Sequence, residues 1–395
     1  MFNIPEEFQN QLEVTAPLDN QGDDDILNSL CQYRPVTSEK NIWAFWHAGA
    51  LAMPGWCRRN VIDWQRICGP SWTIRVLDTV PNSPNHALNY IPADMLPDTF
   101  TMGTMDGPYV GPHSADFLRG ACLMTYGGVF MDVGIILTRS IDRICWSQLE
   151  DPSSPYQISI PWMYGTVSAN HFVASRKDDP FIKRWHQLFV HLWKNHTNYK
   201  GMTENPLLAF ALSMDFSPSQ ERGFAWEFAV DPLTVFEYIT QVVAWQRLCM
   251  LEDAGDGFSC ADYAQQNVLW FDVLEENWGF ETEIGFKGED AFNALATRMD
   301  ADPESVEYKK AYKMVWRFLT KSSMQKITHG KNLTKTPALG LLWDMPENEG
   351  KDAEPGTFAE LLRYGTVHFR QTRNEIEYVK SERPAETMRK GVLEP

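Results

Sequence analysis

No run in this sequence approaches the roughly 20 apolar residues of a membrane-spanning helix. The opening M-F-N-I-P-E-E-F has neither the basic nor the apolar segment of a secretory signal peptide, so a soluble, cytoplasmic protein is expected. Cysteine is sparse: seven residues, an odd number, with no C-x-x-C pair, which excludes a zinc cage and predicts reduced, mostly buried thiols. Basic charge is in deficit, 35 Lys and Arg against 52 Asp and Glu, for a net charge of −17. That balance argues against broad binding to nucleic acid or to an anionic membrane, both of which need basic patches. No internal repeat and no linker-like segment is visible, so one main domain is expected.

What is present is core material. The chain has 395 residues, 44% of them hydrophobic, with 15 Trp and 22 Phe. That is enough for one large α/β domain, with aromatic side chains for the core or for a broad binding cleft.

The stretch 114–137 organises the rest. Its first half reads as a helix with Ser114 as N-cap and Asp116 in the first turn. Gly127-Gly128 stops the helix, because glycine takes the left-handed conformation without penalty. Val129–Leu137 then reads as one strand buried on both faces, apolar except for Asp132 and Gly134. Asp132 is the anomaly, since a carboxylate in an apolar strand costs several kcal/mol unless a metal or a donor meets it. Asp116 and Arg119 are three apart and share a helix face.

Upstream, Asn41–His47 predicts a first strand, Trp56–Cys68 an amphipathic helix and Trp72–Leu77 a second strand. Strand, helix, strand is a βαβ unit and implies parallel pairing. His47, Asp78 and Asp132 then share the carboxyl edge of the sheet, where such sheets bind ligands. Residues 79–113 form a long connection, and connections of that length are usually functional. Downstream, Phe181–Trp193 reads as a helix in which His186 and His191 are core residues. Leu233–Leu251, Asp262–Asn277 and most of 286–327 read as helical. Asp300 and Asp302 precede a helix start and read as capping. His368 falls on an expected strand, Tyr364–Phe369, that returns to the cleft edge.

The pattern I-W-A-F-W-H, M-P-G-W, N-V-I-D-W and W-T-I-R-V-L-D, then S-A-D-F-L-R and Y-G-G-V-F-M-D-V-G, resembles the capsular-polysaccharide-synthesis type of glycosyltransferase. The likeness is strongest to the fungal branch, and I-T-H-G, L-W-D-M-P-E-N, P-G-T-F and Y-G-T-V-H-F extend it over about 41–375. The resemblance implies a GT-A-like α/β fold: a mixed, mostly parallel sheet with flanking helices. The residues themselves read as a tail and docking helix at 1–40, a catalytic domain at 41–375 with a helical insertion near 200–320, and a charged, loose tail at 376–395.

The resemblance also assigns roles. Trp46 and His47 would contact the nucleotide of a nucleotide-sugar donor, with Ser114, Gly127 and Gly128 nearby. Asp116 would bond donor hydroxyls, Arg119 would approach the diphosphate, and Asp132 would be the first acid of a D-x-D motif holding Mn²⁺ or Mg²⁺. Gly134 stands where the second acid belongs, so the cleft would draw on His368, His329 or Asp106 for a metal, or work without one. The acceptor would be a small lipophilic molecule of fungal specialised metabolism; the residues do not name a general base for it, Asp215 and Glu237 being candidates that read rather as surface acids. A second reading is an arginine-containing cyclodipeptide synthase, which resembles the same scaffold and takes arginyl-tRNA and a second amino acid. A third is a binding module without catalysis.

Overall fold

The computed structural model describes residues 2–163, 168–327 and 333–395. Its centre is a seven-stranded sheet: β1 (Asn41–Phe45), β2 (Thr73–Leu77), β3 (Gly128–Met131), β4 (Ile158–Trp162), β5 (Phe172–Ser175), β6 (Val268–Asp272) and β7 (Tyr378–Val379). The order across the sheet is β7-β6-β4-β5-β3-β1-β2. β1 is parallel to both β2 and β3, and β4 to β6. β5 runs against β3 and β4, and β7 against β6. The sheet is therefore mixed, with parallel and antiparallel pairings equally represented.

Alternation along the strands explains the layering. Ile42, Ala44, Ile74, Val76, Val129 and Met131 face one apolar core. Trp43, Phe45, Leu77 and Phe130 face another. Successive strand side chains point to opposite faces, so a sheet apolar on both must be covered on both. On the first face lie α1 (Gly55–Cys68), with α5 (Val306–Lys321) and α6 (Phe358–His368). On the second lie α2 (Val110–Tyr126), α3 (Pro180–Leu192) and α4 (Thr240–Met250).

Several expectations shift. Helix α2 begins at Val110, four residues before Ser114, whose hydroxyl instead contacts the sulfur of Met105 at 3.7 Å. The apolar run 129–137 is two strands: β3 ends at Met131, and Ile135–Leu137 leaves the main sheet to pair antiparallel with Met324–Lys326. The break is stitched from α1, where the Asn60 amide donates to the Val133 carbonyl at 2.8 Å and the Trp64 indole to that of Ile135 at 2.9 Å. Val268–Asp272, expected as helix, is a strand inside the main sheet. The span 200–320 thus supplies sheet as well as helices. His368 ends a helix, not a strand, because Phe358, Leu361 and Leu362 recur at helical spacing and are buried.

All seven cysteines are free, six of them buried. Among the described residues no helix is long and apolar enough to cross a membrane. The segment after residue 375 is docked. It contributes β7 and the pairing of Met388 and Arg389 with Leu251–Asp253.

Candidate active site

Because β1, β2 and β3 run parallel, His47, Asp78 and Asp132 follow their carboxyl ends and share one edge. β5 runs the other way and starts at that edge, so His171 and Asn170 arrive there too. The Asp132 amide donates to the His171 carbonyl at 3.0 Å. Helix α2 precedes β3 and runs back along it, which brings its N-terminal half, with Asp116 and Arg119, alongside the same edge.

These groups form one network. The Arg119 guanidinium donates to Asp116, to the Gln241 amide oxygen at 2.5 Å and to Asp132 Oδ1 at 2.9 Å. It also lies over the Phe130 ring, 4.9 Å from its centroid. Asn170 donates to Asp116 Oδ1 at 3.1 Å and to Gln241 at 2.8 Å. The Gln241 amide nitrogen returns a bond to the Asp116 carbonyl at 2.5 Å, and the Trp185 indole donates to the Gln241 backbone at 2.8 Å. Arg119 is thereby fixed from three sides, with its side chain 2% exposed.

Lys326 completes the cluster. Its ammonium donates to Asp132 Oδ2 at 2.6 Å, and it reaches that position because Lys326 pairs with Ile135 just beyond the strand break. Burial pushes the Asp132 carboxyl up, but Lys326 and Arg119 outweigh it and hold the group below its ordinary value. Beside it, burial, helped by Lys326, depresses His171 to about 3, so its ring is neutral at physiological pH. The His171 ring meets the Asn277 side chain at 2.7 Å.

Sequence reasoning found Asp116, Arg119 and Asp132, and the structure joins them. Lys326, Gln241 and Asn170 were missed, since they come from distant segments with no local signature. Trp46 is half-buried and His47 exposed at the edge, where the His47 ring lies against Gly111 at the start of α2. Asp78 is taken up by its own turn, accepting from Ser83 at 2.6 Å and from the Val80 amide at 3.1 Å.

Other expected residues lie elsewhere. Gly127 and Gly128 sit at the opposite end of β3 from Asp132 and serve packing: a Cβ on Gly128, where φ is +102°, would meet the Asn41 carbonyl at 2.4 Å. His368 stacks on Tyr364 at 4.3 Å and lines a groove with Asp19, Arg66 and Tyr364, away from Asp132. Asp106 is held by Thr197 and Asn198, both at 2.7 Å. His329 lies outside the described residues. Of the two candidate bases, Glu237 accepts from the Gly201 amide at 2.9 Å and from Thr203 at 3.1 Å, and Asp215 caps Ser217 at 2.9 Å. Both serve local structure.

The donor set does not fit an acid-bound divalent metal. Both Asp132 oxygens already accept from cations. A Cβ at Gly134 would lie 2.8 Å from the Ile327 carbonyl, so a second acid has no room. Among the described residues no three His, Cys, Asp or Glu side chains are grouped to hold an ion.

Next to His171 stands an aromatic wall. Trp278 packs on His171 at 5.5 Å, Trp226 on Trp278 at 4.6 Å and on Phe286 at 4.7 Å. Trp226 and Phe286 are only half-buried, unlike most tryptophans of the chain, which fill the cores.

Comparison with known proteins adds the following. The family described as "Capsular polysaccharide synthesis protein" matches residues 3–200. The chain is 55% identical over 395 residues to a probable glycosyltransferase, FCK3, of Fusarium pseudograminearum, covering 100% of this chain and 99% of that one. It is 37% identical to the O-glycosyltransferase braB of Annulohypoxylon truncatum, over 98% of this chain and 93% of that one. It is 36% identical to the O-glycosyltransferase PaGT of Phomopsis amygdali, over 94% and 92%.

Proposed function

The chain belongs to the capsular-polysaccharide-synthesis family of glycosyltransferases, in its fungal branch, and from that premise we propose that it moves a sugar from a nucleotide-sugar donor to a hydroxyl of a small lipophilic acceptor. The observation that carries this reading is the Asp116–Arg119–Asp132–Lys326 network at the carboxyl edge of the sheet. It puts two cations at the place where α/β sheets take up ligands. The donor's diphosphate would meet them, and Trp46 and His47 would flank its nucleotide. Asp116 fixes Arg119 through one oxygen, and the other, with the His113 ring nitrogen 3.6 Å away, would accept from a donor hydroxyl. The wall formed by half-buried Trp226 and Phe286 over buried Trp278 supports an apolar acceptor, since aromatic side chains contribute area without much entropy loss. End-to-end likeness to proteins named as glycosyltransferases favours sugar transfer over aminoacyl transfer.

The test is release of nucleoside diphosphate from a panel of UDP- and GDP-sugars, with small phenols and apolar alcohols as acceptors. At least one donor should be turned over, and Asp116→Asn should abolish the turnover. If no donor in the panel binds or reacts, the reading falls.

A further inference from the structure

We propose that Lys326, backed by Arg119, supplies the positive charge that stabilises the departing diphosphate, in the place a divalent metal would otherwise fill. This rests on the glycosyl-transfer reading above.

The first argument is competition for Asp132. Arg119 holds one of its oxygens at 2.9 Å and Lys326 the other at 2.6 Å. A magnesium ion bonded to that second oxygen would sit about 2 Å from it, against the ammonium, and like charge would drive one of them out. The second argument is the shape of the turn. The Ile327 amide donates to the Gly134 carbonyl at 2.7 Å, and the Ile327 carbonyl lies 2.8 Å from where a Gly134 side chain would begin. The same segment that delivers Lys326 therefore closes the space for the missing acid. Loss of the second carboxylate and arrival of the lysine are two results of one strand pairing.

The third argument is access. Arg119 is sealed at 2% side-chain exposure, while Lys326 keeps 17% and Asp132 28%. Lysine carries three N–H donors, and Asp132 occupies one of them. Among the described residues Asp132 is the acceptor the ammonium meets, which leaves donors for phosphate oxygen. In the transfer, the bond between the sugar's anomeric carbon and the phosphate oxygen breaks, and its electron pair stays on that oxygen. The acceptor hydroxyl bonds to the same carbon and gives up its proton, in net, to water. The diphosphate leaves with one more negative charge than it carried as an ester. A fixed ammonium aimed at that oxygen gains attraction as the charge develops, which is what lowers a barrier. The network formally balances two carboxylates against two cations, so the stabilisation is local, from the ammonium at its exposed side, and not from a surplus of charge.

The experiment is calorimetric titration of UDP and of GDP into the full-length protein, in EDTA and in Mn²⁺, with wild type, Lys326→Met and Lys326→Arg. One nucleotide should bind in EDTA, with Mn²⁺ changing its Kd less than about threefold. Lys326→Met should weaken binding about tenfold or more, and Lys326→Arg should restore it, as a charge-assisted contact requires. Binding that appears only with Mn²⁺ overturns the proposal and leaves glycosyl transfer standing, as does a folded Lys326→Met with unchanged Kd. Failure of both nucleotides to bind in either condition overturns glycosyl transfer and this proposal together. The wild-type comparison decides even if Lys326→Met does not fold.

Discussion

At the scale of single residues, the site is a problem of burying charge. Arg119 sits between two carboxylates with almost no access to water. Removing one partner of a buried pair leaves the others uncompensated, at a typical cost of about 3–5 kcal/mol. Arg119→Met should therefore lower stability to urea by about 3 kcal/mol or more, and it should also abolish turnover. His171 gives a pH prediction. Its folded value is about 3 against an ordinary 6.5, so the unfolded chain binds the extra proton between those limits. Stability from this group is full above 6.5 and falls as the pH drops toward 3. By pH 5 the loss is about 2 kcal/mol. Asp132 acts in the same direction but lower, its folded value lying below the ordinary 3.8. Asp63 opposes both: burial raises it from 3.8 to about 6, so it favours the folded state as pH falls. The clean reading is a difference. Wild type should lose stability relative to His171→Asn as the pH drops from 7 to 5, because Asp63 and Glu281, the latter raised by burial to about 7, act equally in both proteins and cancel in the difference. Parallel curves would refute the assignment.

At the scale of elements, local pattern and long-range pairing part company. Asn41–Phe45, Gly55–Cys68 and Thr73–Leu77 were legible because apolar periodicity and glycine or proline stops agree along each of them. Asp116 and Arg119 were legible as a helix-face pair, and Asp132 as an acid out of place. Lys326 was not, because its role exists only through pairing with 135–137, and nothing in its neighbourhood marks that strand. Val268–Asp272 was misread because a short apolar run does not separate strand from buried helix. The split of 129–137 was hidden for the opposite reason, since both halves are equally apolar. Gly134 makes the split testable. Gly134→Asp restores the letters of an acid pair but drives a side chain into the Ile327 carbonyl at 2.8 Å. It should cost about 1–3 kcal/mol in urea unfolding and should confer no Mn²⁺ affinity in titration. Gly128→Ala should be worse, since it combines φ of +102° with a 2.4 Å approach to the Asn41 carbonyl. A loss of at least about 2 kcal/mol is expected there.

At the scale of the whole molecule, the last twenty residues turn out to be part of the body, although their charge reads as a loose tail. Their connection to the rest runs through Arg247, a buried arginine on α4 whose guanidinium donates to the backbone of Glu394 and, at 3.5 Å, to that of Val392. Arg247 has no carboxylate in these contacts; it also donates to the Leu207 carbonyl at 3.1 Å. Helix α4 carries Gln241 six residues earlier, the group that grips Arg119. Removing residues 376–395 would strip three acceptors from a buried cation, the Val392 and Glu394 carbonyls and the Met388 sulfur, remove β7 from the sheet edge and unpair Leu251–Asp253. A buried charge that loses its partners is the costlier of these changes. The truncated chain should melt at lower temperature than wild type and lose activity together with fold. Arg247→Met in the full-length chain should recover part of what truncation loses when the two are combined, because the orphaned charge is then gone. Additive losses in that double variant, measured by thermal unfolding, would show that the terminal segment stabilises the molecule through its strands and not through Arg247.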